Sequence, residues 1–254
     1  MKRPSRSALH AVAVLFAVAS VTSASTAAAD DGSGPFGVTV AAATTAQTAR
    51  VGALFAGGRR FCTASVVHSP RHDLVVTAAH CLDGGARDVM FVPGYRDGEA
   101  PYGAWRLGRR FLPQGWVKGR GEDSDVAFAV VADRGGEGGA GEGVEDVVGG
   151  NRFVTGMATG ATAVTVTGYP NARRAPVGCT DKPTSHSRRQ QRIACPGFSG
   201  GTSGSPWVNG DGEVVGVLGG HDGGGATADV SFSVVFGAEA AALYQEAERG
   251  SPSN

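Results

Sequence analysis

The chain has 254 residues, which is enough for one large domain or for two small lobes that share a cleft. It carries 23 basic and 23 acidic residues, so its formal net charge is zero. This balance excludes the strong positive charge that binding to nucleic acid or to an anionic membrane surface requires, and we expect neither as a partner.

The first 29 residues predict a secretory signal peptide. Three basic residues lie among the first six, an apolar stretch follows from Ala8 to Val21, and small residues at 27–29 predict a cut after Ala29. The apolar stretch is short for a membrane span. We therefore expect a secreted, extracellular protein without a membrane segment in its mature form, and loss of the signal peptide moves the formal charge to about −3.

The rest of the chain predicts short strands. Residues 30–50 are rich in Ala, Thr and Gly and predict a linker or short pro-segment, so one folded domain is expected over residues 51–254. Runs rich in Val, Thr and Phe then alternate with glycine-rich breaks. The predicted strands are Val51–Phe55, Cys62–His68, Leu74–Ala78, Val89–Val92, Val126–Val131, Thr162–Gly168, Val214–Leu218 and Val230–Val235.

Only Ala238–Glu248 has the period of a longer helix, and many strands before one terminal helix predict an all-β barrel or sandwich. Two stretches predict exposed loops. Arg134–Gly150 contains eight glycines, with one helical turn expected at Val144–Val148. Asn171–Arg192 is strongly basic, which predicts a solvated hairpin; the alternative is a patch that favours acidic substrates or cell-surface polymers.

Four cysteines, at positions 62, 81, 179 and 195, fit disulfide bonds in an oxidising compartment. Three pairings are possible, and proximity within each half of the chain favours Cys62–Cys81 and Cys179–Cys195. Each bond would close a short loop and contribute roughly 3 kcal/mol of stability. A zinc site is the rival interpretation, but the chain has no C-x-x-C pair and its histidines are scattered, so we predict no metal ion.

A serine on a glycine turn is the first candidate for chemistry. Ser203 stands in the sequence GGTSGSP at 200–206, where glycines allow successive backbone N–H groups to point into one concavity. The N–H groups of Gly201 and Ser203 are the predicted donors to an oxyanion. A glycine–serine linker is the alternative, and the apolar residues on both sides argue against it.

A histidine and an aspartate lie upstream of this serine. His80 follows a predicted strand and precedes Cys81, so a disulfide would fix the turn that carries the imidazole. Asp125 opens the apolar run DVAFAV, where a carboxylate can be dry and can orient an imidazole, while Asp123 and Asp133 are its competitors. Because a serine hydroxyl needs a base to accept its proton, the combination predicts a serine hydrolase.

The motifs TAAHC (77–81), DVAF (125–128) and GTSGSP (201–206), in that order, resemble those of the trypsin/chymotrypsin-like serine proteases. The form G-x-S-G-S-P and the tripeptide at 168–170 are more similar to the bacterial secreted branch of that family. The resemblance covers roughly Val51–Gly237. It implies two perpendicular six-stranded antiparallel β-barrels, with the helix predicted from Ala238 as the C-terminal addition.

The same resemblance implies a triad of His80, Asp125 and Ser203 between the barrels and an oxyanion hole formed by the N–H groups of Gly201 and Ser203. It also implies that the Cys62–Cys81 disulfide lies beside the base. The expected activity is that of a secreted serine endopeptidase, which forms an acyl-enzyme with a protein or peptide substrate. We expect a monomer that needs no cofactor.

The sequence departs from the family at positions that control activation and specificity. Thr202 stands where the animal enzymes have an aspartate that pairs with a new N-terminus, so activity should not depend on a free amine at Val51. Gly197 stands where trypsin-type enzymes have an aspartate for basic side chains. Gly219, Gly220 and His221 follow a predicted pocket wall, and His221 could meet an acidic side chain of the substrate.

Two other functions fit parts of the sequence. Ser199 lies in GFSGG at 197–201, which matches the G-x-S-x-G of α/β-hydrolases, and Asp211 and His221 follow in the matching order. That motif needs alternating strands and helices, which the sequence lacks. A non-catalytic binding protein on the protease fold is the second alternative, although this chain keeps the histidine, aspartate and serine.

Overall fold

A computed structural model of the protein describes residues 36–85, 88–132 and 141–250, which all belong to one folded unit. The predicted signal peptide and residues 134–140 of the predicted glycine-rich loop lie outside the described residues. In the part of the chain that is described, no helix has the length and apolar character needed to cross a membrane.

The described residues contain fifteen strands. In chain order they are β1 (Val38–Ala41), β2 (Val51–Ala56), β3 (Arg59–Val67), β4 (Leu74–Thr77), β5 (Met90–Pro93), β6 (Trp105–Phe111), β7 (Ala127–Val131), β8 (Arg152–Phe153), β9 (Val164–Gly168), β10 (Val177–Asp181), β11 (Thr184–Ser185), β12 (Gln190–Ile193), β13 (Pro206–Asn209), β14 (Glu213–Val217) and β15 (Ser231–Val234). They are short and connected by turns, as the glycine-rich breaks in the sequence predicted.

Helices are few and mostly one turn long. They are α1 (Ala46–Ala49), α2 (Ala79–Leu82), α3 (Gln114–Gly119), α4 (Val144–Val148) and α5 (Ala238–Arg249), with short 3₁₀ helices at Glu122–Ser124 and His221–Gly224. The predicted helical turn at Val144–Val148 and the predicted C-terminal helix are both confirmed.

The first half of the fold is a closed barrel in which the strands follow the order β2-β3-β4-β7-β6-β5. Neighbouring strands are antiparallel, and the last pair, β2 with β5, closes the circle. Inward-facing apolar side chains from several strands form one buried cluster, which includes Leu54, Val66, Val75, Phe91 and Trp105. Burial of this apolar surface is the main force that holds the barrel together.

The second half differs in detail from the single closed barrel that the resemblance implied. Its strands divide between a six-stranded sheet, β1-β10-β9-β13-β14-β8, and a three-stranded sheet, β11-β12-β15. A few hydrogen bonds join the two sheets. Ser233 Oγ accepts from the N–H of Val217 at 3.0 Å, Gln191 Nε2 donates to the carbonyl of Val215 at 3.5 Å, and the N–H of Gly219 donates to the carbonyl of Phe232 at 3.0 Å. The prediction of an all-β fold with a C-terminal helix is confirmed, and one of the two predicted six-stranded barrels is closed.

Helix α5 packs against the first barrel. Ala240, Leu243 and Ala247 are buried at helical spacing, and they belong to a cluster that includes Phe111 and Phe128 of β6 and β7. The helix ends at Gly250, whose φ of +53° is the left-handed conformation in which glycine is favoured. The C-terminal helix therefore covers a face of the barrel that would otherwise expose apolar side chains.

Among the described residues, regular structure begins at Val38 and not at Val51, so the described part of residues 30–50 is more regular than predicted. Strand β1 pairs with β10 along its whole length, and Thr45 caps helix α1 by accepting from the N–H of Thr48 at 3.1 Å. The pattern was missed because four residues at a sheet edge show too few alternations for a period to be recognised.

The basic stretch Asn171–Arg192 is also more regular than predicted, since it contains β10, β11 and β12. The prediction that its charges are solvated is confirmed. Six basic side chains of this stretch are exposed: Arg173, Arg174, Lys182, Arg188, Arg189 and Arg192.

Candidate active site

A buried carboxylate lies directly against the imidazole of His80. Asp125 Oδ1 accepts from the backbone N–H of His80 at 2.9 Å, and Asp125 Oδ2 is 2.7 Å from His80 Nδ1. The backbone N–H of Gly220 donates to the same Oδ2 at 2.8 Å. The Asp125 side chain is 1% exposed and that of His80 is 26% exposed, so the carboxylate lies beneath a ring that solvent can reach.

These contacts determine which tautomer the imidazole of His80 adopts. Three donors to one carboxylate offset the cost of burying its negative charge. Because the carboxylate only accepts, His80 Nδ1 carries the proton of this hydrogen bond and Nε2 is left with a lone pair. Nε2 has no hydrogen-bond partner among the described residues. An imidazole held in this tautomer can take a proton from a nearby hydroxyl.

The local sequence explains why His80 is placed so firmly. His80 lies in the single-turn helix α2. Only Ala78 separates this helix from Thr77, the last residue of β4. Thr77 Oγ1 donates to the carbonyl of Thr63 at 2.7 Å, and the Cys62–Cys81 disulfide joins β3 to the residue after His80. The backbone on both sides of the imidazole is therefore tied to the same strand.

The serine turn is attached to that strand as well. The carbonyl of Ser203 accepts from the N–H of Thr63 at 2.7 Å, and Thr63 is the residue that follows Cys62 in β3. Gly204 has a φ of +83°, and a Cβ there would lie 2.1 Å from Thr77 Oγ1. The turn therefore packs against the end of β4 that leads into His80. Ser203 is half-buried, and its hydroxyl makes no hydrogen bond to another described residue.

Within residues 201–205 of the turn, two backbone donors have no acceptor among the described residues. They are the N–H groups of Gly201 and Ser203, whereas Thr202, Gly204 and Ser205 all donate within the protein. Gly201 has a φ of +100°, and a Cβ there would lie 2.5 Å from a neighbouring carbonyl. Only glycine fits this backbone, which leaves the two N–H groups able to donate to an external oxyanion.

A family model for the trypsin-like peptidase domain matches residues 62–217, which is more than half of the chain and includes His80, Asp125 and Ser203. The chain belongs to the trypsin-like peptidase family. A comparison with curated protein sequences gives no match.

Solved structures of proteases resemble this trypsin-like peptidase over most of its length. The protease Anisep from Arthrobacter nicotinovorans is 27% identical, with a TM-score of 0.69 over 81% of this chain and 98% of its own. A thermostable serine protease, AL20, from an extremophilic microorganism is 26% identical, with a TM-score of 0.70 over 82% of this chain and 100% of its own. A Glu endopeptidase at 17% identity (TM-score 0.68, over 85% of this chain and 98% of its own) shares the fold.

Two of the predicted specificity residues of this trypsin-like peptidase are glycines in close contact with the site. A Cβ at Gly219 would lie 2.8 Å from Asp125 Oδ2, and one at Gly220 would lie 2.4 Å from Gln190 Oε1, so both glycines allow close packing beside the buried carboxylate. Gly197 is exposed, and a Cβ there would lie 3.9 Å from Thr39 Cγ2 of β1.

His221 is already surrounded by partners. Its ring stacks on His186 with a centroid distance of 4.6 Å and meets the edge of Phe232 at 4.9 Å. Glu122 and Asp222 each place a carboxylate oxygen 3.4 Å from a ring nitrogen of His221. A positive charge on this imidazole would therefore be matched within the protein, which weakens the hypothesis that it recognises an acidic side chain.

Sequence reasoning missed Gln190, which connects the two halves next to the site. Gln190 is buried, its Nε2 donates to the carbonyl of Glu122 at 2.9 Å and to Asp123 Oδ1 at 3.0 Å, and its Oε1 accepts from the N–H of His221 at 3.4 Å. Asp123 therefore serves Gln190 and not a histidine. The only available signal was a pair of glutamines within a strand, which is too weak to predict a role.

The residues of the alternative esterase motif are not brought together in the described structure. Ser199 is exposed and its carbonyl accepts from Thr202, Asp211 lies in the turn between β13 and β14, and His221 contacts Glu122 and Asp222. The Asp125–His80 pair has no counterpart around Ser199.

Proposed function

We propose that the protein is a secreted serine endopeptidase that works through an acyl-enzyme intermediate. Family membership supports peptide-bond hydrolysis, and two disulfides and a predicted signal peptide support an extracellular location. The observation that carries the mechanism is the contact of buried Asp125 with both the N–H and Nδ1 of His80, because it leaves Nε2 of the imidazole as a base.

In the proposed mechanism, Ser203 Oγ attacks the scissile carbonyl while His80 Nε2 accepts the hydroxyl proton. Asp125 keeps the imidazole in the required tautomer and stabilises the imidazolium that forms. The N–H groups of Gly201 and Ser203 donate to the oxyanion of the tetrahedral intermediate. His80 returns the proton to the leaving amine, and a water molecule then hydrolyses the acyl-enzyme with His80 as base again.

Replacement of Ser203 by Ala tests the nucleophile. The Ser203→Ala variant should keep the fold and lose nearly all turnover, with a drop in kcat of about 10⁶-fold expected when the nucleophile of a triad is removed. Ser199→Ala is the matched control, because it removes the serine of the rival motif and should keep activity. The measurement is hydrolysis of a protein substrate, together with labelling by a fluorophosphonate.

Each outcome of the labelling identifies one function. A label on Ser203 supports the proposal, a label on Ser199 indicates an esterase, and no label on correctly folded protein indicates a binding protein. Retention of more than a few per cent of activity in Ser203→Ala would also reject the mechanism.

The preferred cleavage site is measured with the same pair of proteins. A diverse peptide mixture is incubated with wild type and with Ser203→Ala, and cuts made only by wild type are located by mass spectrometry. Because carboxylate oxygens of Glu122 and Asp222 already lie 3.4 Å from the ring nitrogens of His221, we do not expect a dominant preference for Glu before the cut. A strong Glu preference that is lost in His221→Gln would show that His221 recognises the substrate after all.

A further inference from the structure

A cluster of side chains suited to metal binding lies outside the proposed active site. It forms where the turn between β3 and β4, which carries His68 and His72, meets the first turn of α4, which carries Glu145 and Asp146. One ligand atom each from His68, His72 and Glu145 lie within 4.8 Å of one another. Two imidazoles and a carboxylate are a ligand set that zinc commonly uses.

The carboxylate of Glu145 is fixed in place before any ion binds. Its Oε2 accepts from the backbone N–H of Ser69 at 3.0 Å, and its Oε1 lies 2.7 Å from His68 Nδ1. The Glu145 side chain is only 13% exposed, and a Cβ at Gly150 would lie 2.8 Å from its Oε1. The glycine therefore leaves room for a carboxylate that already points toward the histidine turn.

His72 is held close to α4 by the backbone. Its carbonyl accepts from the N–H of Glu145 at 3.0 Å, and its φ of +56° lies in the left-handed region. Gly143 allows this contact, since a Cβ there would lie 2.6 Å from the carbonyl oxygen of His72. Asp146 Oδ1 lies 2.6 Å from His72 Nδ1, and Asp146 Oδ2 accepts from the N–H of Gly143 at 3.0 Å.

The imidazoles face solvent, so an ion can reach them. The side chains of His68 and His72 are 56% and 43% exposed, and their ring centroids are 6.1 Å apart. A zinc ion binds each imidazole nitrogen at about 2 Å. Rotation of the two side chains is enough to bring both rings to one ion from a centroid distance of 6.1 Å. The carboxylate of Glu145 is thus fixed against the protein, whereas the imidazoles of His68 and His72 lie at the surface and can rotate.

We propose that His68, His72 and Glu145 bind one divalent transition-metal ion of the zinc class. Water would complete the coordination, and the carboxylate of Asp146 would orient the imidazole of His72 from outside the coordination sphere. Imidazole ligands favour Zn²⁺ over Ca²⁺ or Mg²⁺, which prefer oxygen. No metal ion was predicted from the sequence, because there is no C-x-x-C pair and the histidines are scattered. Glu145 lies too far along the chain from His68 and His72 for a spacing motif to include it.

The test is a titration of EDTA-treated protein with Zn²⁺, followed by calorimetry, with Ca²⁺ as the comparison ion. The Ser203→Ala background prevents self-cleavage. Since the hydrogen bond with Asp146 raises the pKa of His72 above its ordinary value, the titration is made at about pH 8, where protons compete less with the metal. The variants are His68→Gln/His72→Gln, Asp146→Asn and His221→Gln. The last is the matched control, because it alters a histidine in a different carboxylate cluster.

The expected result is one equivalent of Zn²⁺ bound by the parent and by His221→Gln, with this binding lost in the double variant. Asp146→Asn should bind roughly tenfold more weakly, as is typical when a partner of a metal-bound histidine is removed. Two separate ion pairs without a metal site would give no such pattern. The proposal is overturned if the parent takes up no Zn²⁺, or if the double variant binds it as tightly as the parent.

A second measurement keeps the proposal testable if the double variant fails to fold. Co²⁺ bound to the parent through imidazole nitrogen should show visible absorption, and Glu145→Gln should weaken that absorption without loss of near-UV circular dichroism. An unchanged Co²⁺ spectrum in Glu145→Gln would remove the glutamate from the site, and no Co²⁺ spectrum in the parent would overturn the site as a whole.

Discussion

Gly201 is the residue where backbone geometry and the proposed chemistry depend most directly on each other. Its φ of +100° disfavours any side chain, and a Cβ would lie 2.5 Å from both the carbonyl oxygen of Tyr169 and Oδ1 of Asn171. These neighbours hold the peptide whose N–H is a proposed oxyanion donor. A side chain at position 201 must therefore move the donor or the loop that faces it.

Replacing Gly201 by Ala should lower kcat by about 10²–10³-fold, because loss of one oxyanion donor has a cost of that size. Gly210→Ala is the matched control, since a Cβ at Gly210 meets no atom within 4 Å. The measurement is steady-state hydrolysis of an ester substrate, with circular dichroism to verify folding. Equal kcat values in the two variants would contradict the proposed role of Gly201.

At the residue scale, the sequence could predict that His80 and Asp125 meet, since the motifs around them are specific. It could not predict that the N–H of Gly220 also donates to Asp125, or that Gln190 supports the same region. A backbone donor has no sequence signature, and Gln190 reaches its partners across 67 residues of chain.

At the scale of elements, the two disulfides close loops of similar length but at different distances from the chemistry. Cys62–Cys81 spans 19 residues and ends beside His80, whereas Cys179–Cys195 spans 16 residues and joins β10 to the chain after β12. The predicted pairing is confirmed for both. The two bonds can therefore be used to separate stability from activity.

Removing either disulfide by Cys-to-Ala substitutions should lower the free energy of unfolding by roughly 3 kcal/mol. The Cys62→Ala/Cys81→Ala variant should also lose kcat, because the turn that carries His80 loses one attachment. The Cys179→Ala/Cys195→Ala variant should keep its kcat at temperatures where it is folded. The measurements are urea unfolding and steady-state kinetics, and equal kcat losses in both variants would contradict this division.

Helix α5 also contacts the segment that leads to Asp125, which the sequence did not predict. Glu239, in its first turn, accepts from the N–H of Gly115 at 3.1 Å through Oε1 and from the hydroxyl of Ser124 at 2.7 Å through Oε2. Ser124 directly precedes Asp125, so the end of the chain supports the backbone that positions the carboxylate.

Glu239→Ala should lower the free energy of unfolding by about 1–2 kcal/mol, because it removes two hydrogen bonds to a charged acceptor at an exposed site. It should also reduce kcat by disturbing the backbone next to Asp125. Glu246→Ala, at an exposed position of the same helix, is the control and should change stability by no more than about 0.5 kcal/mol. Identical unfolding curves for the two variants would show that the Glu239 contacts contribute nothing.

The predicted strands are apolar runs, whereas two of the strands that were missed, β6 and β12, are polar. Strand β6 contains Arg106, Gly108, Arg109 and Arg110, and β12 has the sequence QQRI. Charged and glycine residues are unusual in strands when judged singly. Pairing with neighbours from distant parts of the chain decides their conformation, and no local pattern reports those neighbours.

At the scale of the whole molecule, Tyr169 links the first barrel to the second half. Its hydroxyl donates to the carbonyl of Val51 at 3.0 Å, and its side chain is fully buried. Burial raises the pKa of Tyr169 above its ordinary value, because a phenolate there would lose its hydration. The connection therefore depends on the neutral phenol.

Tyr169→Phe should lower stability by about 1 kcal/mol at neutral pH, where one buried hydrogen bond is lost. The wild-type contribution is fully present below the unfolded pKa of about 10 and declines as pH rises above it, since only the unfolded chain releases the proton easily. The stability gap between the two proteins should thus narrow above about pH 10. Urea midpoints across this range measure the gap, with Tyr102→Phe as control, and a constant gap would contradict the argument.

Short apolar runs and one helical period are visible in the sequence, and they were enough to predict an all-β barrel or sandwich with a terminal helix. The division of the second half into two sheets was not predictable. It depends on contacts between residues distant in the chain, such as Ser233 Oγ with the N–H of Val217. The sequence of an apolar strand does not show with which other strand its single polar residue will form a hydrogen bond.

The Cys62–Cys81 bond also makes the position of His80 sensitive to the redox conditions around the protein. Under reducing conditions these thiols are unlinked, so the turn around His80 lacks its covalent attachment to β3. Under oxidising conditions the attachment forms, and the imidazole is held more firmly against Asp125. The same pair of cysteines that fixes the geometry of the imidazole therefore makes that geometry dependent on the compartment.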